Sequence, residues 1–129
     1  MLLSVPAILL CLMILPAFAA DITSISPQDN STKDVTINLT AKNYAFNTST
    51  ITVPAGANVT INFDNMDAGE QHNFAVYETA EANKKIFVGD DITGPSKITY
   101  NFEAPIKAGM YLFRCDDHAG QMKGNFIVK

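Results

Sequence analysis

From Val35 to the C-terminus, large apolar residues recur at every second position in short runs. That two-residue period leaves the chain little but β-structure to form. The runs are Val35, Ile37 and Leu39; Ile51 and Val53; Val59, Ile61 and Phe63; His72, Phe74 and Val76; Ile98, Tyr100 and Phe102; Tyr111, Phe113 and Cys115; and Phe126 and Val128. Successive side chains of a strand point to opposite faces, so each run predicts a strand with one inward stripe. Gly, Pro, Asn and Asp separate the runs: Pro54-Ala-Gly56 predicts a turn, and Asp64–Gln71 a loop. The pattern predicts an all-β fold, an antiparallel sandwich. A single helical candidate, one or two turns, covers Glu78–Lys84. Phe and Tyr residues are assigned to the core, as is Met110. A chain of 129 residues is one domain, long enough to bury a real core.

Three segments follow one another. Residues 1–19 hold no charged side chain and are nearly all apolar, ending in Ala17-Phe18-Ala19. That small-x-small end predicts a signal peptide cleaved before Ala20, and so an extracytoplasmic protein. Left uncleaved, the same stretch would hold the chain at a membrane. Residues 20–33 are polar and poor in large apolar residues, which predicts a flexible leader or tether. Residues 34–129 form the folded domain.

Cysteine placement narrows the chemistry. Of two cysteines, Cys11 lies in the signal segment, behind a Leu10 too bulky for a lipid-attachment site, and Cys115 is left alone after cleavage. A lone thiol in an oxidising compartment needs an occupant, and a metal would be one. Cys115, His118 and Met122 lie within eight residues, in Phe113-Arg-Cys-Asp-Asp-His-Ala-Gly-Gln-Met122, and the only other histidine is His72. A thiolate, two imidazoles and a thioether are the ligands of a mononuclear blue-copper centre. Cu(I) favours soft sulfur and Cu(II) favours imidazole, so a trigonal Cys-His-His set with a long axial Met suits both oxidation states. The alternation places Cys115 on the face of Phe113, and His72 on the face of Phe74. Both therefore point between the sheets.

Around the ligands, Asn73 is positioned to bridge to the Asp116 region and join the two ligand segments. Asp116 and Asp117 lie beside the site as carboxylates that disfavour reduction, or as solvated loop residues. Gly120 and Gly124 would give the loop backbone freedom. Met66 is a weaker alternative sulfur. Four Asn-x-Ser/Thr sequons, at Asn30, Asn38, Asn47 and Asn58, are little above chance in so Asn- and Thr-rich a chain.

The formal net charge of −4 falls entirely after the signal segment, and no basic cluster offers a nucleic-acid surface. A mildly acidic surface suits docking to a basic patch on a redox partner. Two histidines are too few for a multicopper oxidase, and a binuclear copper site needs a second cysteine. A cysteine hydrolase would leave Met122 without a role, and so would a Cys-His-His zinc site. A single-electron carrier, not an enzyme, accounts for all four ligands. A copper storage or delivery protein would use the same residues without redox cycling, and an adhesion module would keep only the sandwich.

These residues make the chain resemble the cupredoxins, in particular small plastocyanin-like and pseudoazurin-like blue-copper domains, from about Asn43 to Lys129. Tyr44-x-Phe46, Ile51-x-Val53-x-x-Gly56-x-x-Val59 and Phe63-x-Asn65 are similar to the family's early strands, and His72-Asn73-Phe74 to its first-ligand strand. Gly109-x-Tyr111-x-Phe113-x-Cys115-x-x-His118, Met122 and Gly124-x-Phe126-x-Val128 resemble its ligand loop and closing strand. The resemblance implies a Greek-key β-sandwich and a soluble carrier of single electrons with one copper. Three residues separate His118 from Met122, one fewer than in plastocyanin and one more than in amicyanin. Ala119 stands where many relatives have Pro.

Overall fold

The computed structural model describes residues 33–129. The expected signal peptide (residues 1–19), and all of the leader except Lys33, lie outside them. Eleven strands make up the described chain: β1 (Asp34–Lys42), β2 (Ala45–Phe46), β3 (Thr50–Val53), β4 (Asn58–Asn65), β5 (Gln71–His72), β6 (Ala75–Tyr77), β7 (Lys85–Val88), β8 (Ile92–Thr93), β9 (Ser96–Glu103), β10 (Gly109–Arg114) and β11 (Lys123–Val128). One sheet has the order β2-β1-β4-β9 and the other β3-β11-β10-β6-β7, while β5 and β8 form a small separate ribbon.

The alternation does what it predicts. Along β4, Val59, Ile61, Phe63 and Asn65 are buried, while Asn58, Thr60, Asn62 and Asp64 face outward. Leu39, Tyr100, Ile51, Val53, Tyr111, Phe113, Phe126 and Val128 complete the inward stripes of the two sheets. Four fully buried phenylalanines, Phe63, Phe74, Phe113 and Phe126, anchor the layer between them. Each contributes roughly 1.5–3 kcal/mol by leaving water.

The sandwich is mixed, not wholly antiparallel. β1 runs parallel to β4 over Asp34–Ala41, and β3 runs parallel to β11. The chain leaves the first sheet after β2, adds β3 to the second, and turns back through Pro54–Gly56 into β4. Parallel neighbours cannot be joined by a tight hairpin, and this excursion is the crossover that β1 and β4 need. Gly56 takes a left-handed φ of 67° in that turn, where Ala57 N–H donates to the Pro54 carbonyl.

Three expectations need correction. No helix forms over Glu78–Lys84: the Thr79 carbonyl accepts from Ala82 N–H in one turn, and Ala82 then adopts a left-handed φ of 52°. Met110 is not core. It lies on the outer face of β10 and is 67% exposed, because Tyr111 on the next position takes the inward one. Gly124 is a strand residue of β11, not a flexible loop residue. A Cβ there would lie 2.5 Å from Cζ of Phe113 and would also strike the Ser49 carbonyl, so glycine is needed for close packing.

Candidate metal centre

The β10–β11 hairpin of the second sheet supplies three of the candidate residues, and the small β5–β8 ribbon supplies the fourth. The hairpin β10–β11 closes at Arg114 opposite Lys123, leaving residues 115–122 as its loop. Cys115 N–H donates to the Met122 carbonyl at 2.9 Å, and Met122 N–H to the His118 carbonyl at 2.9 Å. These bonds fold the loop on itself, so Cys115, His118 and Met122 are brought together. Cys115 and Met122 are fully buried, while His118 is partly exposed.

His72 arrives differently. The expected continuous strand through His72, Phe74 and Val76 is broken, since β5 leaves the main sheet to pair with β8. Asn73 and Phe74 join it to β6, and every residue from His72 to Tyr77 is buried. Asn73 bridges as expected: its Oδ1 accepts Asp116 N–H at 2.8 Å, and its Nδ2 donates to the Gly89 carbonyl at 3.0 Å. One amide thereby takes up backbone groups that the broken ladder leaves free.

The side chains of His72, Cys115 and His118 converge, and Met122 is buried beside them with its backbone bonded to Cys115 and His118. His72 Nδ1 is 3.1 Å from His118 Nδ1, and Cys115 Sγ is 3.8 and 3.7 Å from those two nitrogens. His72, Cys115 and His118 form a group able to hold a metal ion among the described residues. The point in the plane of the three atoms that is equidistant from them lies about 2.1 Å from each. That distance matches a metal–nitrogen bond and is a few tenths of an ångström short for metal–sulfur. The donor set therefore fits one transition-metal ion with a small outward shift of the sulfur. Burial pushes the Cys115 thiol up from its ordinary range, while the backbone amides of Asn73, Asp117 and His118 pull it down.

Two of the acidic neighbours separate in role. Asp116 accepts from Arg114 Nε at 2.8 Å and from the Tyr77 hydroxyl at 2.8 Å, so its charge is largely engaged away from the sulfur. Asp117 is exposed. Met66 is also exposed on its loop.

The sequence reading missed Asp67, Tyr44 and Asn65. Asp67 Oδ2 lies 2.8 Å from His72 Nε2, and the same carboxylate accepts the amides of Asn43 and Tyr44. Tyr44 stands edge-on to both imidazoles, at 5.6 Å from His72 and 5.0 Å from His118. Asn65, fully buried, donates to the Glu70 and Ile92 carbonyls and accepts Asp67 N–H. A carboxylate five residues ahead of the first histidine, inside a glycine-containing loop, was the available signal for Asp67.

Comparison with known proteins agrees with this geometry. The family model of a cupredoxin-like domain matches residues 9–128. Auracyanin A, a "blue" copper protein from the green thermophilic photosynthetic bacterium Chloroflexus aurantiacus, is 28% identical with a TM-score of 0.66, over 74% of this chain and 99% of that one. Dithionite-reduced auracyanin from the photosynthetic bacterium Roseiflexus castenholzii is 25% identical with a TM-score of 0.67, over 75% and 98% of the two chains. Reduced rusticyanin, at 23% identity and a TM-score of 0.59 over 77% and 81%, shares the fold. No curated protein sequence matches the chain.

Proposed function

The chain belongs to the cupredoxin-like domain family, and from that premise we propose that it is a mononuclear type 1 copper protein carrying single electrons between redox partners outside the cytoplasm. The observation that carries the reading is the triangle of Cys115 Sγ and the two Nδ1 atoms, with sides of 3.1 to 3.8 Å. A bound copper ion would supply reversible Cu(II)/Cu(I) exchange. Cys115, His72, His118 and Met122 would hold it, the thiolate and thioether supplying soft sulfur and the two imidazoles nitrogen.

The residues' own work is to prevent rearrangement. Cys115 and His72 are fully buried and tied to each other's segment through Asn73. His118 alone among the nitrogen ligands reaches the surface, so its ring edge is the place where an electron passes to a partner. Such a closed cage favours a carrier over a delivery protein, which must open to release its metal. Both histidines of the chain serve this one cluster, leaving none for a catalytic copper and so supporting a non-enzymatic role. The apolar segment Leu2–Ala19 supports the extracytoplasmic location.

One equivalent of Cu(II) added to the protein should produce an intense thiolate-to-copper band in the visible, reversibly bleached by reductant. Cys115→Ser should abolish it. A serine variant that keeps the band overturns the assignment.

A further inference from the structure

Resting on the copper reading above, we propose that Asp67 is a positioning residue that sets the tautomer of His72 and lowers the reduction potential. In the same contact it clamps the β1–β2 turn so that Tyr44 covers the two imidazoles. His72 offers two nitrogens, and only Nδ1 faces the sulfur and the second histidine. Nε2 faces a carboxylate oxygen at 2.8 Å. A carboxylate can only accept, so Nε2 carries the proton and Nδ1 keeps its lone pair for a metal. The negative charge behind the ring makes Nδ1 a stronger donor and favours Cu(II) over Cu(I).

The clamp has a second arm. Lys42 pairs with Ala45, so Asn43 and Tyr44 are a two-residue hairpin loop. Both have left-handed φ values, 53° and 55°, and Tyr44 is a residue that rarely adopts this conformation. What holds them there is visible. Asp67 Oδ1 accepts Asn43 N–H at 2.6 Å, and Oδ2 accepts Tyr44 N–H at 2.9 Å. The turn swings the Tyr44 ring over the edges of His72 and His118, with its hydroxyl beside Glu70. One carboxylate thus fixes both the buried ligand and the aromatic cover.

Asp67→Asn in the full-length protein removes the charge and sets an amide N–H against Asn43 N–H, since both carboxylate oxygens are in use. In the copper-loaded protein the reduction potential should rise in Asp67→Asn and return toward wild type in Asp67→Glu, which restores the charge. In the metal-free protein, hydrogen exchange of the Asn43 and Tyr44 amides should quicken roughly tenfold or more in Asp67→Asn. Nitrogen-15 spectra of the metal-free wild type should show His72 protonated at Nε2. A coloured Asp67→Asn site with unchanged potential overturns the proposal, and so does a wild-type His72 protonated at Nδ1, even where the Asn variant holds no copper. Failure of the wild type to form the visible band overturns instead the copper reading beneath it.

Discussion

The proposed ligands come together from two regions built on different principles. The loop 115–122 is local: three proposed ligands share one hairpin, and backbone hydrogen bonds between residues a few positions apart shape it. The His72 limb is non-local. It pairs with β8, is tied to Asp116 and Gly89 through Asn73, and is backed by Asp67, which in turn grips residues 43 and 44. The loop is shaped by sequence spacing, whereas the limb is shaped by side chains that the fold must first bring together. A metal site of this kind therefore has a robust half and a dependent half.

Perturbations should expose that asymmetry in graded fashion. Phe113 lies two residues before Cys115 and packs against Phe46 at 5.5 Å and Phe74 at 5.7 Å, so it supports both regions. Phe113→Ala should cost about 3–5 kcal/mol in denaturant unfolding and weaken copper uptake as well. Saturating copper should raise stability in turn, by about 2.7 kcal/mol at a hundredfold excess over Kd, measured as a shift in unfolding midpoint. Asn73→Ala should cut the tie between limb and loop, costing about 1–3 kcal/mol because it leaves Asp116 N–H and the Gly89 carbonyl without their partner. If its loss leaves the visible band and the stability unchanged, the two regions are not coupled as described. His118→Gly should leave stability nearly intact and open an exchangeable coordination position, read as return of colour on adding free imidazole. Smallest of all, Arg114→Ala should cost under about 1 kcal/mol, because its pair with Asp116 is partly solvated.

The same division explains what the sequence disclosed. Alternation located β1, β3, β4, β9, β10 and β11, because each has one wet and one dry face. It failed where that contrast vanishes. In β6, Ala75, Val76 and Tyr77 are all buried, and in β7 the residues Ile86 and Phe87 are both only half-buried, so no two-residue stripe appears. Parallel pairing of β1 with β4 depends on the excursion through the other sheet, which no local pattern encodes. Met110 was misread since hydrophobicity was allowed to outweigh the position's outward parity. The cluster of His72, Cys115 and His118 was legible because sulfur and imidazole are rare in this chain. Asp67 was not, because an acidic loop residue is ordinary until the fold sets it behind a histidine.

The parallel register of β1 has a last implication. Asp34 sits at one extreme of the sandwich, beside Asn58, whose other neighbour is Glu103, while Ala41 lies level with Asn65 at the end that carries the candidate metal centre. The seven residue steps from Asp34 to Ala41, at about 3.3 Å each, separate these extremes by about 23 Å. Whatever precedes Lys33 therefore joins the domain at the pole farthest from His118. A linker fused there can be lengthened, stiffened or immobilised on an electrode without crossing the proposed conducting face, so the protein would hang like a pendulum with the His118 end outermost.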